Sequence, residues 1–471
     1  MIDRVRAWVK ARPDYERELR RRAKRGLIAG GIIVGLILLT DGLSLALLIL
    51  PLAILALYVP AWNYVRYGKW VLVPGTLLLA VLYPFYLENL FEMPIFGAFP
   101  SVDTGVTMLI FIMMALGLNI VVGYAGLLDL GYVAFYAMGA YTAAWFASQH
   151  FHGQDIHLGA VGVNPDADGI HISIWVVLGI AAIFTAIVGV IIGFPTLRLR
   201  GDYLAIVTLG FGEIMPQIAR NGDQLFGHNI TNGPQGINPI DPPGFGNTLD
   251  SAVGLPSDYL TFSVTMFGRT VSSVELFYWT ALLLVLFTVF CSVRLRDSRL
   301  GRAWIAIRED ETAAAAMGVP LMRTKTWAYA AGAFFGGIAG AYYASFKSGT
   351  FPDDFFFNIS IFILCMVILG GMGNIWGVIL GGGFLAYLNQ EGLGNIGGWL
   401  NEHFSTDNAQ WFTLFSGPID VPLYQFGIFG AILVAVMLFR PEGLIPSSRR
   451  AAELHEDPGA ADQPLYDVTH E

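Results

Sequence analysis

The chain has 471 residues, 55% hydrophobic and only 13% charged, with a formal net charge of −9. A soluble domain carries about 25% charged residues, so a string of soluble domains is excluded. Repeated apolar runs of about 18 residues or more read as transmembrane helices, and their lack of alternation excludes a β-barrel.

In chain order, ten of the 27 Lys and Arg residues fall between Arg4 and Arg25. A cleaved signal has a much shorter positive region, so residues 1–25 read as a basic cytoplasmic N-terminus. The interleaved acids Asp14, Glu16 and Glu18 argue against a nucleic-acid arm. Apolar runs then place spans near 26–40, 43–60, 70–87, 104–122, 125–148, 173–194, 203–220, 276–293, 326–346, 359–372, 374–390 and 423–440, about twelve crossings. The predicted fold class is an all-α polytopic integral membrane protein. With the N-terminus inside, every basic group (Arg66/Lys69, Arg198/Arg200, Arg294 to Arg308, Arg323/Lys325, Arg440/Arg449/Arg450) falls on the cytoplasmic side. The loops 149–172, 221–275, 347–358 and 391–422 fall outside. The 221–275 loop is turn-rich ("NGPQGINPIDPPGFGN") and reads as a folded external cap, the alternative being a linker without structure. The acidic end, 446–471, reads as a disordered cytoplasmic tail.

Chemistry of the enzymatic kind is missing. The chain has no G-x-x-x-x-G-K-[ST] phosphate loop. Its one G-x-G-x-x-G, Gly392 to Gly397, reads as an external turn. His150, His152, His157 and His171 cluster in the 149–172 loop, which reads as solvated rather than as a metal site. Cys291 and Cys365 sit in apolar runs and read as small buried hydrophobes. Two carboxylates stand inside spans, where ionisable groups are functional by default. Asp129 lies in "YAGLLDLGYVAFYAMGAY" and Glu213 in "IVTLGFGEIMPQIARN", before Pro216. Each could instead be a satisfied structural group. Glu88 and Glu92 read as external-edge residues.

Glycines recur four apart at Gly332/Gly336/Gly340, Gly373/Gly377/Gly381 and Gly189/Gly193, a spacing that lets helix backbones approach closely in lipid. The segments 114–131 and 366–382 each pair a span with a Gly/Asn-rich break and a second span, the pattern of an internal repeat. Between two spans lies "SRLGRAWIAIREDETAAAAMGVP", Ser298 to Pro320. Asp310 can cap a short helix there, the alanines favour it, and Gly318 with Pro320 stop it.

Four strings, "ALGLNIVVGYAGLLDLGYVAFYAMGAY", "FPTLRLRGDYLAIVTLGFGEI", "GRAWIAIREDETAAAAMG" and "VILGGMGN", resemble the permease of the bacterial branched-chain amino acid ABC transporter, nearest to the LivM-type subunit. The likeness runs from about residue 100 to Arg440-Pro-Glu-Gly-Leu444. It implies a core over 96–445 of about ten transmembrane helices in two related halves, with 26–95 contributing about two extra N-terminal helices and a linker. It also implies a heterodimer with a second related permease subunit, two cytoplasmic ABC ATPases that bind ATP-Mg, and a periplasmic substrate-binding protein that delivers Leu, Ile or Val. This chain itself is expected to bind no cofactor, metal or nucleic acid. Location is then the bacterial inner membrane, multi-pass, with both termini cytoplasmic. Urea-type and amide-type relatives share much of the pattern, so those substrates are the alternative.

The resemblance also assigns the coupling loop, 294–325. The family's E-A-A-x-x-x-G element falls on Thr312-Ala313-Ala314 and Gly318, with Thr where Glu is usual and Glu311 beside it. Arg302, Arg308, Glu309, Asp310 and Glu311 are expected to serve docking, with the alanine face seated in a groove of the ATPase. The expected substrate path is Asn119, Asp129, Tyr132 and Glu213. Two other readings compete: an ion-coupled secondary transporter using Asp129 and Glu213, and a scaffold that transports nothing.

Overall fold

The computed structural model describes residues 77–85, 99–152, 154–159, 168–199, 202–224, 227–243, 264–266, 269–271, 273–404, 420–440 and 443–445. The chain divides into two units, Met1–Ser101 and Val102–Glu471. The expectations for the basic segment 1–25, the spans 26–40 and 43–60, Glu88, Glu92 and the 446–471 tail lie outside the described residues. In the first unit, helix α1 spans 77–85 and the Tyr83 hydroxyl donates to the Pro100 carbonyl at 2.7 Å.

The second unit is a helical bundle built on two buried helices. Helix α2, Val102–Leu118, is apolar on every side, and such a helix belongs in a core. It runs on through a π-helical turn, Asn119–Tyr124, into an irregular break, and the chain resumes as α3, Val133–Phe146. Helices α4 (Ile174–Thr196), α5 (Asp202–Arg220) and α6 (Ser273–Asp297) follow. After two short helices, α7 (Arg299–Glu309) and α8 (Glu311–Ala316), comes α9, Leu321–Phe346. Helix α10 (Phe357–Gly370), a four-residue turn and α11 (Ile375–Tyr387) form a second broken pair. A π turn, Leu388–Gly392, leads into α12 (Leu393–Phe404), and α13 (Gln425–Phe439) closes the order.

Helix α9 is the second pillar. It packs on α4 and α3 at backbone distance, because a Cβ on Gly340 would lie 1.9 Å from the Tyr136 carbonyl oxygen and one on Gly337 2.1 Å from Thr185 Oγ1. Gly332 and Gly336 give room to Val121 and to Tyr132 with Phe135 in the same way, and Gly189 faces Ala333. Across the second broken pair, Cβ atoms on Gly377 and Gly381 would lie 2.1 Å from the Gly370 oxygen and 2.6 Å from its nitrogen. Gly373 plays another part: with φ +83° it is a turn residue between α10 and α11.

Among the described residues, five helices combine the length and composition to cross a membrane: 102–124, 174–196, 273–297, 352–370 and 421–439. Three predicted spans differ in form. The run 125–148 is helical only from Val133, because Ala125–Tyr132 is the break. The run 374–390 continues through the π turn into α12, so Gly392 to Gly397 is helical and not an external turn; Leu393 and Gly397, four apart, bury one side of α12, and Gly397 meets Val421. The 326–346 span starts earlier, at Leu321.

At the end of the bundle opposite α7 and α8, a small sheet of order β1-β3-β2 forms from β1 (Ala147–Ser148), β2 (Asp155–Leu158) and β3 (Gly169–Ile172). Strand β3 is antiparallel to β1 and parallel to β2. Residues 227–243 are stitched onto it. The Asp241 N–H donates to the Ala147 carbonyl (2.8 Å), Ile237 and Thr350 exchange backbone bonds at 3.0 Å, and the Trp145 indole donates to the Ile230 carbonyl (2.8 Å). A second hairpin pairs β4 (Val264–Met266) with β5 (Arg269–Val271). The histidine loop is not uniformly solvated: His171 is buried, its Nδ1 lies 2.8 Å from Asp241 Oδ2, and His157 stacks on it. Burial raises the Asp241 carboxyl above its usual range, against the opposing bond from His171. No group of three or more metal-ligating residues forms among the described residues.

Candidate functional site

The site is the break between α2 and α3 and what surrounds it. A chain that leaves a helix inside a membrane exposes backbone groups that lipid cannot satisfy. Here one side chain of the break and two from distant elements satisfy them. Asp129 Oδ1 accepts from the Gly131 N–H at 2.9 Å, Thr208 Oγ1 on α5 accepts from the Leu130 N–H at 3.0 Å, and Ser360 Oγ on α10 accepts from the Val133 N–H at 2.9 Å. These three acceptors cap the start of α3, where the first N–H groups have no helical partner.

Of the four residues expected on a substrate path, three meet here. Asn119, Asp129 and Tyr132 are buried. Asn119 Oδ1 accepts from the Gly373 N–H at 2.8 Å, which ties the π turn to the second break. The Tyr132 hydroxyl donates to the Gly332 carbonyl at 3.0 Å, which ties the break to α9. The Tyr329 hydroxyl of α9 lies beside Asp129 and interacts with its carboxylate, and neither that hydroxyl nor Asp129 Oδ2 has another partner among the described residues. Asp129 and Tyr329 thus form a buried polar pair at the break, with each other as partner.

Glu213 does not join them. Helix α5 turns Thr208 and Gly212, four residues apart, toward the break, and Glu213 lies one position further round on the exposed side. The ion-coupled reading required Asp129 and Glu213 to act together, and the two stand on different faces. Thr208, Ser360 and Tyr329 were not legible in the sequence: each is an ordinary residue in an apolar run, and its partner lies 78 to more than 200 positions away.

The second break is shorter. Gly371 and Gly373 adopt φ +110° and +83°, and Asn374 Oδ1 caps α11 by accepting from the Trp376 N–H at 3.2 Å. The exposed end of α10 is satisfied by a returning segment: the Leu444 N–H donates to the Leu369 carbonyl (2.8 Å) and the Ile445 N–H to the Gly370 carbonyl (3.2 Å). Gly443, with φ +84°, allows that approach, since a Cβ there would lie 2.5 Å from the Gly371 Cα.

Helices α7 and α8 form an arm held against both breaks. Ser298 caps α7 by accepting from the Gly301 N–H at 3.1 Å. Asp310 ends α7 and caps α8, accepting from the Thr312 and Ala313 N–H groups at 2.8 and 3.0 Å. These bonds and the Thr312 hydroxyl hold the Asp310 carboxyl below its usual range. Gly318 stops α8 with φ +85°. The fully buried Trp304 anchors the arm, its indole donating to the Thr324 carbonyl of α9 at 2.8 Å.

The arm's charges divide between its two faces, and this corrects the expectation that all serve docking. Arg308 points inward: its Nη1 donates to the Gly123 carbonyl in the π turn, and a Cβ on Gly373 would lie 3.2 Å from that same nitrogen. Glu311 pairs with the buried Lys325 at 2.8 Å. Ala314 is buried against the bundle. Facing out are Arg302, Glu309, Asp310, Thr312, Ala313, Ala316, Gly318 and, most of all, Met317 at 85% exposed. Met317 escaped notice in the sequence because it follows the alanines as one more apolar residue.

Residues 102–437 match the sequence pattern of the family described as "branched-chain amino acid transport system / permease component". The chain is 35% identical over 390 residues to the high-affinity branched-chain amino acid transport system permease protein LivM of Escherichia coli (strain K12), covering 82% of this chain and 77% of that one. The LivM of Salmonella typhimurium matches with the same identity and coverage. No solved structure matches the chain. The matched region spans the arm, both breaks and all but two residues of α13. This chain is a multi-pass membrane transport subunit rather than an enzyme, and it belongs to the family of branched-chain amino acid transport system permease components.

Proposed function

We propose that this chain carries branched-chain amino acids, Leu, Ile or Val, across the inner membrane by alternating access, as one of two related permease subunits. Two separate ATPases, which bind ATP-Mg, supply the work, and a periplasmic binding protein supplies the substrate. The N- and C-termini and the arm face the cytoplasm, in keeping with the basic residues gathered on that side. Met317, Ala313 and Ala316 form the small apolar face that seats in the ATPase, and Arg302, Glu309, Asp310 and Thr312 border it.

One observation carries this reading: the inward contact of Arg308 with the Gly123 carbonyl, beside Gly373. A displacement of the arm by an ATPase acts directly on the π turn of one half and, through Asn119 and Gly373, on the glycine turn of the other. The break that moves holds Asp129 and Tyr132 beside Tyr329 of α9, the polar surface past which a zwitterion would travel. An oppositely charged or dipolar partner is what a buried carboxylate favours, and Asp129 suits the substrate's ammonium group. Specific side-chain selection is left to the binding protein.

The test is reconstitution of the full importer in proteoliposomes with Arg308→Gln. ATPase docking is expected to survive, while uptake falls on the order of tenfold, the scale of a typical coupling energy. Unchanged uptake would overturn the arm's role. Met317→Glu separates the two faces: it should lose docking itself.

A further inference from the structure

Helices α6 and α9 touch at one end and part at the other. At the end away from the arm, the Tyr342 hydroxyl donates to the Phe277 carbonyl at 2.6 Å, and Phe277 packs on the Phe346 ring at 5.2 Å. Toward the arm, α6 leans on α2 while α9 stays on α4, and a wedge opens between them. The wedge is a cavity of about 520 Å³ floored by Trp304 of the arm, within the roughly 300–1,000 Å³ usual for small-molecule sites. Phe287, Phe290, Trp327, Ala331 and Phe334 line it, and Arg294 stands at its rim.

The lining is carbon almost throughout, which excludes an amino acid or a hydrated ion as occupant. The mouth opens where a membrane protein meets lipid: Phe287, Phe290 and Trp327 are 43%, 59% and 52% exposed. Trp327 is the aromatic type enriched at the hydrocarbon boundary. Arg294 lies over the Phe290 ring, 5.4 Å from its centroid. It makes no ion pair among the described residues, whereas its neighbours are engaged: Arg296 Nε with the Asp297 carboxylate at 3.0 Å, and Arg302 Nη1 with the Asp297 carbonyl at 2.9 Å. A guanidinium held only by a ring contact and the distant charge of Asp297, above a carbon-lined slot, fits an amphiphile with an anionic head and a hydrocarbon tail. Basic residues at the membrane edge attract anionic lipid by about 1 kcal/mol each.

We infer that the α6–α9 wedge binds one acyl chain of an anionic phospholipid, whose phosphate rests on Arg294. The chain would lie against Leu300 of the arm, which lines the wedge and is exposed to it. This site is separate from the breaks and from the outer face of α8, and it does not depend on which substrate is carried.

The experiment uses the full chain, purified and stripped of lipid, with native mass spectrometry after addition of palmitoyl-oleoyl phosphatidylglycerol or the phosphatidylcholine of the same chains. Wild type should retain one phosphatidylglycerol more tightly than phosphatidylcholine. Arg294→Gln should weaken phosphatidylglycerol roughly fivefold, the scale of one basic residue at a charged surface, and Arg294→Lys should restore much of it. Ala331→Trp, which fills the wedge, should abolish retention of both lipids in protein that remains monodisperse. Equal retention of the two lipids by wild type, or unchanged retention in Arg294→Gln, overturns the proposal. So does retention by monodisperse Ala331→Trp. If that variant does not fold, the Gln and Lys pair decides alone.

Discussion

The two breaks in the bundle solve one problem by different means. The first, Ala125–Tyr132, is long, and N–H groups there are satisfied by its own Asp129 and by side chains of two distant helices, Thr208 of α5 and Ser360 of α10. The second, Gly371–Asn374, is a glycine turn whose N–H groups meet the Asn119 and Asn374 side chains, while the end of α10 is satisfied by the backbone of 444–445. Side-chain acceptors can be exchanged or released by a rotamer change, while a backbone pair must move as a unit. The first break, whose end is held by no returning backbone segment, is therefore the more adjustable of the two, and its Asp129 lies beside Tyr329 of α9. Arg308 touches the first and abuts the second, so the arm reads both.

The largest effect should come from wedging the first break. Gly131→Ala would place a Cβ 2.1 Å from the Thr208 carbonyl oxygen, and backbone cannot yield as a side chain does. A loss of about 3 kcal/mol, the upper range for overpacking, is expected, measured as thermal stability in detergent. Full stability would mean that α5 does not press on the break. Next is Arg308→Gln, which leaves the Gly123 carbonyl without its charged donor. Besides the uptake defect, it should cost about 1.5–3 kcal/mol.

Ser360→Ala and Thr208→Val each strip one acceptor from the first break alone. About 1–3 kcal/mol apiece is expected, with hydrogen exchange faster at 130–135 and unchanged at 371–375. Equal acceleration at both breaks would erase the distinction between them. Asp310→Ala acts on the arm and should lower its stability by less than these, as a lost helix cap. Because the folded Asp310 carboxyl is held below its usual value, its contribution is complete above the unfolded value of about 3.9 and is lost as pH falls through the folded one. The arm should thus be indifferent to pH near neutrality and loosen only in acid. Smallest of all, Glu213→Gln should change stability by less than about 0.5 kcal/mol, as for a surface site, and leave uptake unaltered. A large uptake defect would return Glu213 to the path.

The helices of the second unit were legible because long apolar runs survive any tertiary arrangement. The caps of the arm were legible too, since Ser298, Asp310 and Gly318 act on neighbours within a few residues. Misread were the run 125–148, whose first eight residues are as apolar as a helix but are held open by Thr208 and Ser360, and Gly392 to Gly397, where burial on Val421 outweighs the turn preference of glycine. Glu213 stood out because intramembrane carboxylates are usually functional; which side of α5 it takes, the exposed one, depends on where Gly212 packs.

The sequence alone determined what is local or summed along the chain: an apolar composition that requires a membrane, the helices, the capped arm and four strings specific enough to name a family. Tertiary structure decided which side each residue faces. It turned Arg308, Glu311 and Ala314 inward and Met317 outward, brought Asn119 to Gly373 across 254 positions, and opened the wedge beneath Arg294. Those outcomes rest on contacts between segments far apart in the chain, and a one-dimensional pattern carries no term for the distance between them.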